Sequence, residues 1–453
     1  MEQSKSVNMI EGPFLRKIVF FAIPLASASV LQLLFNAADV IVVGRYAGDF
    51  ALAAVSSTGS LVNLLVNIFV GLSVGCNVVA ARFLGAKDDT GVSHTVHTSI
   101  FISLVGGVFM AILGILAARP LLELMSSPEE VIGLATVYLK IYFAGMPVMM
   151  LYNFGSALLR SVGDTRRPLI CLAISGVVNI VLNLLFVIAF DMSVAGVALA
   201  TVISQALAAW MVVKILMDEK GPLHLDLHSI HLYPAVFRQI AAVGLPAGLQ
   251  GTVFSLSNVV IQSAINGFGP VIMAGNGAAS NIESFIYMAM NSCYQACVTF
   301  TSQNVGARRL ENINRILMAC QGLVLIIGTV MGFGTVVFGP QLLGFYSPDP
   351  AVIQAGMARL SVIALTYALC GCMDTMVGSL RGMGSSITPM VVSLVGSCAL
   401  RLVYVATIFQ LNPTPKVLYL CYPITWTVTL LAHIVCFFIV RRKVFQDATP
   451  TVA

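Results

Sequence analysis

The chain has 453 residues, of which 58% are hydrophobic and 9% charged, with a mean hydropathy of +0.94 and a formal net charge of +5. A soluble domain carries roughly 25% charged residues, so a globular protein surrounded by water is excluded and most of the surface must meet lipid. The small positive excess gives no reason to expect a nucleic-acid partner.

Backbone amides in hydrocarbon need partners inside the protein, so apolar runs of about 18 residues or more read as helices able to cross a layer of roughly 30 Å. Twelve such runs predict an all-α membrane protein of twelve transmembrane helices. The first, 18–43, follows Arg16 and Lys17 and holds ASAS, as a secretory leader would. Its apolar stretch outlasts the 7 to 15 residues of a leader core, so it is a span. Gln32, Asn36 and Asp39 share one helical face of it. A charge at the bilayer centre costs about 2.5 to 3.5 kcal/mol, which makes Asp39 a functional candidate. The alternative places Asp39 at headgroup level, because Gly44 and Arg45 soon follow.

The second to sixth runs are 52–80, 95–117, 131–158, 168–190 and 194–216. Ser60, Asn63 and Asn67 line one face of the second, and Ser175, Asn179 and Asn183 one face of the fifth. Such stripes either wet a cavity or hold helices together. The segment from Ile215, ILMDEKGPLHLDLHSIHLYPAVFRQ, is the most polar long stretch. Leu alternates there with His224, His228 and His231, so it reads as an amphipathic surface linker, with metal binding or regulation as the alternative.

The remaining runs are 238–266, 277–303, 315–338, 351–380, 388–410 and 416–440. Glu283 shares a face with Tyr287 and Tyr294, and Asp374 lies one turn from Cys370. Arg401, deep in the eleventh run, is expected to pair with one of these carboxylates, because an unpaired buried charge is prohibitive. Pro24, Pro147 and Pro246 interrupt their helices and read as hinges or plain kinks. The ten cysteines, mostly in apolar runs, read as buried packing groups without disulfides.

Lys and Arg in short loops are retained in the cytoplasm. With both termini there, 18 of the 24 basic residues lie inside, which leaves Arg45, Arg119, Lys140, Arg359, Arg401 and Lys416 for outer loops or helices. An internal repeat supports an even number of spans per half. LLRSVGDTRRPL from Leu158 matches SLRGMGSSITPM from Ser379 at an offset of 221, FLGAK at 83–87 matches NVGAR at 304–308, and Pro24 and Pro246 are 222 apart. Two six-helix bundles, related by a pseudo-two-fold axis along the membrane normal, follow. Their boundaries are 1–217 and 238–453, with 218–237 a cytoplasmic linker.

The IPL at Pro24, NAADVIVVGRYAG around Asp39, the following LAAVS, VGAR after the eighth span, the paired SVGDTRRP and GMGSSITP loops, and NIVLN on the fifth span together resemble the multidrug and toxic compound extrusion (MATE) family, nearest its bacterial DinF-like branch. The resemblance covers nearly the whole chain. It implies a monomer of the bacterial cytoplasmic membrane that needs no cofactor and expels amphipathic, often cationic compounds in exchange for protons or sodium. It implies cation coupling at Asp39, with Gln32 and Asn36 behind it on the first span and Asn179 and Asn183 on the fifth, and leaves the metal open, with sodium near Asp39 as the candidate. Relatives carry an aspartate at the place of Asn183; an amide coordinates sodium but releases no proton. Another branch has a glutamate near Phe254 or Ser255, which this chain lacks, and its tenth-span aspartate falls one turn from Asp374. A substrate cavity formed by Asn63, Asn67, Glu283, Tyr287, Asp374 and Arg401, with hinges at Pro24 and Pro246, completes the expectation.

Protonation of Asp39 from outside would remove its charge and favour release of a cationic substrate, and deprotonation inside would restore the site. Twenty Met and twenty-five Phe residues suit a cavity for varied substrates. The alternative function is a lipid-linked precursor flippase of the related superfamily, which needs a strongly basic cavity; Lys140 and Arg401 are the only candidates well inside spans, which argues against it. An intramembrane enzyme would need HExxH or GxSxG on a span, and the chain has neither. His97 and His433 stand alone and read as structural.

Overall fold

The computed structural model describes residues 8–124 and 129–448, apart from the side chains of Asp49, Ser56, Ser57, Ser60 and Leu64. Helices follow one another without a strand among the described residues. In the first half these are α1 (Phe14–Tyr46), α2 (Asp49–Gly85), α3 (Asp89–Leu124), α4 (Glu129–Ala144), α5 (Met146–Ser161), α6 (Arg166–Leu184) and α7 (Ser193–Asp218). The second half holds α8 (Pro234–Asn266), α9 (Pro270–Gly306), α10 (Asn312–Val337), the short α11 (Gly339–Gly344), α12 (Pro350–Gly382), α13 (Ile387–Ser393), α14 (Leu400–Ala406), α15 (Ile408–Leu411) and α16 (Pro415–Ala448).

Each of the twelve expected runs lies on helix. Among the described residues ten helices are long and apolar enough to span alone, and α4 with α5, bent by 48° at Gly145 just before Pro147, makes an eleventh. The remaining run, 277–303, lies on α9, 37 residues long but diluted by Asn276, Glu283, Gln295 and Gln303, so it falls short on apolarity alone. Phe20, Ile41, Leu116, Val330 and Phe438 are exposed on the outer faces of their helices. Apolar surface on that scale is a liability in water and a proper contact with lipid tails.

The chain forms two compact helical units. One runs from Ser27 to Gly248; the other joins Asn8–Ala26 to the chain from Leu249 onward. In α1 and α8 alike, the chain leaves one unit for the other two residues after the helix's proline, Pro24 or Pro246. In the first unit Gly71 and Gly75 of α2 meet Gly244 and Gly248 of α8, so closely that a Cβ on Gly71 would stand 2.2 Å from the Gly248 nitrogen. Small residues four apart let helix backbones touch where lipid gives no hydrophobic drive to pack. In the second unit α12 packs against α9, α10 and α16, and Asn304 and Asn312 donate to the carbonyls of Met9 (2.8 Å) and Ile10 (3.0 Å).

The repeat is conformational as well as sequential. Gly163 and Gly384, 221 apart, both take a left-handed φ, +85° and +92°, at the turn that follows the Leu-Arg pair. Lys87 and Arg308, also 221 apart, take φ of 57° and 55° just beyond α2 and α9. The segment joining α7 to α8 is packed rather than free: Leu223 and Leu225 are buried, His97 of α3 accepts the Asp226 N–H (3.2 Å), and Tyr233 stacks on His94. His224, His228 and His231 do not converge, and no metal-ligating cluster forms among the described residues. The ten cysteines are free thiols, nine of them buried.

Candidate cation site and buried charge network

In the first unit, α1 presents Asp39 to α6 and α7. Asp39 is half-buried. Its carboxylate accepts a hydrogen bond from the Asn183 amide and a long one, 3.4 Å, from the Thr201 hydroxyl. The Asn183 amide also donates to Asn179 Oδ1 (3.3 Å), and Asn179 donates to Thr201 Oγ1 (3.5 Å). Helical spacing explains the pair: Asn179 and Asn183 are four apart on α6, and a π-helical turn, Leu185–Ala189, begins just after them. Such turns recur at functional sites because they rotate the helix face locally.

Asn183 is fully buried, yet its Oδ1 has no hydrogen-bond partner. A buried carbonyl oxygen without a donor is costly. Asn183 turns its Nδ2 to Asp39 and Asn179; with the amide turned over, Oδ1 would join the Asp39 carboxylate, Asn179 Oδ1 and Thr201 Oγ1 in an all-oxygen donor set from three helices, the chemistry that hard cations such as sodium prefer. Gln32 is half-buried and Asn36 exposed, and among the described residues neither bonds to Asp39. Thr201 was not expected from the sequence; a hydroxyl within the apolar ALATVIS of α7 was the available signal. Asn63 is exposed, whereas Asn67 is half-buried and engaged with neighbours. The Ser60 side chain lies outside the described residues. Ser175 bonds back to its own helix at Leu172 O (3.0 Å).

In the second unit the expected pairing is overturned. Glu283, on α9, is buried and bonded not to Arg401 but to Arg359 of α12, whose Nη2 donates at 2.7 Å and Nε at 3.1 and 3.2 Å. Arg359 Nη1 reaches Asn276 (2.7 Å), and Asn276 donates to Gln262 of α8 (3.3 Å). Arg359 wins because its fork can satisfy the carboxylate while Asn276, two turns before Glu283 on α9, takes the remaining nitrogen. Arg401, equally buried, donates instead to Asn258 Oδ1 (3.2 Å) and lies 4.4 Å over the Tyr422 ring.

Asp374 is half-buried, within electrostatic reach of Tyr287 and Arg381. Arg381 is itself buried, donating to the Tyr294 hydroxyl (2.5 Å) and Gln250 (2.7 Å). Along the α9 stripe, Glu283 and Tyr294 therefore serve different partners, Arg359 and Arg381. Lys140 and Arg401 are also not alone as basic groups within spans: Lys140 is exposed, whereas Arg359 and Arg381 are buried there.

The MatE family model matches residues 24–185 and again 246–407, one copy per half at the offset that the prolines mark. The chain is 28% identical over 428 residues, 92% of each chain, to the probable multidrug resistance protein YoeA of Bacillus subtilis. It is 25% identical over 400 residues to the probable multidrug resistance protein NorM of Thermotoga maritima, covering 86% of this chain and 85% of that one. It is 23% identical over 439 residues, 96% of each, to an FAD transporter of Shewanella oneidensis. A solved outward-facing multidrug resistance MATE family transporter superposes with a TM-score of 0.89 at 22% identity, over 99% of this chain and 100% of that one. Two copies of one family model across most of its length show that the chain belongs to the MatE family and is a multi-pass membrane transporter, not an enzyme.

Proposed function

We propose that the chain is an antiporter that exports amphipathic, often cationic drugs or toxic compounds by alternating access, driven by proton or sodium entry. Its relatives' names as multidrug resistance proteins support the cargo. The observation that carries the coupling is the oxygen cluster around Asp39, with its one unpartnered buried acceptor on Asn183. A sodium ion entering there would turn the Asn183 amide over, so that its oxygen and the Asp39 carboxylate both meet the ion; a proton would neutralise Asp39 alone. The donor set favours sodium, since a proton needs none of the other oxygens. Either ion removes the net negative charge that holds a cationic cargo, and its departure restores that charge. In a one-for-one exchange of monovalent cations the ion's own concentration gradient drives export, and a tenfold gradient, worth about 1.4 kcal/mol, sustains a cargo ratio of about ten.

The same reading sets the protein as a monomer in the bacterial cytoplasmic membrane, both termini in the cytoplasm, with bundles 1–217 and 238–453 joined by the linker 218–237. No cofactor enters the scheme. Dye export from everted vesicles, energised in turn by sodium and proton gradients, is the test. Asp39→Asn should lower export to the level of vesicles lacking the protein under both gradients, at normal membrane abundance. Export undiminished by the substitution removes Asp39 from the coupling.

A further inference from the structure

The second unit holds a polar cluster whose charges do not balance. Arg359 and Arg401 flank the Tyr422 ring, at 5.6 and 4.4 Å, and among the described residues only Arg359 is paired with a carboxylate, Glu283. Glu283 is wholly committed to Arg359, through all of the hydrogen bonds it makes among the described residues. Arg401 is left with a single neutral acceptor, Asn258 Oδ1, and its buried Nε has no partner. Among the described residues no carboxylate pairs with it. A guanidinium 2% exposed, in a membrane-embedded unit, is an expensive object to leave without a counter-charge.

Asn258 is exposed although it sits in mid-helix on α8, and it begins a polar row, Asn258, Gln262 and Asn266, at intervals of four. Asn266 and Gln262 are bonded to each other at 2.8 Å, and Gln262 joins the row to the Glu283–Arg359 pair through Asn276. Arg401 itself follows directly on the π-helical turn Leu394–Ala399, as Asn183 precedes one in the first unit. Exposed Asn258, the Tyr422 ring and the Arg401 guanidinium thus meet, and a ligand that reaches them can complete the charge.

We propose that Arg401, with Asn258 and Tyr422, forms an oxyanion-recognition site for cargo, so that the substrates include amphipathic molecules bearing a carboxylate, zwitterions among them. A guanidinium offers parallel N–H donors to a carboxylate, and on Arg401 the buried Nε is left without a partner while Nη1 is held by Asn258. The Tyr422 ring holds the guanidinium plane in place, and Asn258 orients it through Nη1. Lysine, a point charge without the fork, would serve poorly.

The inference rests on the efflux reading above and narrows its substrates. The test uses the full chain in proteoliposomes and two xanthene dyes that differ only in a free carboxylate against its methyl ester. Arg401→Gln should lower the ratio of carboxylate-dye to ester-dye export about tenfold, the loss of one charge-assisted interaction, and Arg401→Lys should restore it only in part. A ratio that Arg401→Gln leaves unchanged overturns the proposal. Should the variant fail to fold, dye binding to the unaltered protein decides. The carboxylate dye should bind about tenfold more tightly than its ester, and equal affinities overturn the site. Failure of the unaltered protein to export even the ester would count against the efflux reading instead.

Discussion

Glu283 and Arg359 form a bidentate ion pair buried on both sides, with side chains 2% and 8% exposed. Two charges taken out of water recover their desolvation only while both are present, so the pair is a constraint on packing more than a source of stability. Glu283→Gln leaves the Arg359 guanidinium with amide acceptors alone and should destabilise the purified protein by about 3 to 5 kcal/mol. Replacing both members by methionine should recover most of that loss, because no buried charge then remains. Thermal unfolding in detergent compares the three proteins; a double variant as weak as the single one would show that the pair contributes more than it costs. At Asp39 the setting differs. The carboxylate is only half-buried and its partners are neutral amides and a hydroxyl, so its substitution should change transport far more than folding.

At the scale of helices, close backbone approach sets the packing. The α2–α8 crossing at Gly71 and Gly248 has no room for any side chain, since the Cβ of a substituted Gly71 meets the backbone of α8 at Gly248 N and Gly244 O. Gly71→Val should therefore destabilise by about 1 to 3 kcal/mol, the range for overpacked interiors. Gly277→Ala on α9, where nothing lies within 4 Å of the new methyl, should be neutral or stabilising by up to about 1 kcal/mol through helix propensity. Equal melting shifts for the two would dissociate glycine spacing from helix contact. Helices themselves were plain in the sequence because hydropathy reports burial in lipid directly, and the repeat was plain because the left-handed turns at Gly163 and Gly384 tolerate few substitutes. Partners across helices were not. Glu283 and Arg359 are 76 residues apart, and nothing in either local pattern selects Arg359 over Arg401. Thr201 and the row Asn258, Gln262 and Asn266 were visible as polar residues at helical spacing, but ordinary packing uses the same residue types. Asp39 stood out because a carboxylate in an apolar run has few structural uses.

For the whole molecule, a duplicated scaffold carries unduplicated chemistry. At the offset of 221, Asn179 and Asn183 correspond to Leu400 and Tyr404, while Glu283 and Arg359 correspond to Val62 and Tyr138. The first unit thus keeps an acid among neutral oxygens, and the second keeps an excess of buried guanidinium over carboxylate. Opposite polarities in the two units fit a division of labour, with the coupling ion received by one and an anionic group of the cargo by the other. The division has an electrical consequence. When one monovalent cation enters for each cargo molecule leaving, export of a dye cation moves no net charge. Export of the corresponding zwitterion, its carboxylate free, moves one positive charge inward. A clamped potential of 100 mV, negative inside, should then raise the steady-state gradient of the carboxylate dye by about fifty-fold and leave that of its ester unaffected. Proteoliposomes with a potassium diffusion potential measure both dyes side by side. Equal voltage dependence for the two would mean that the cargo's own charge is compensated, by a second ion or by a proton carried with the carboxylate, and the one-for-one exchange would have to be given up.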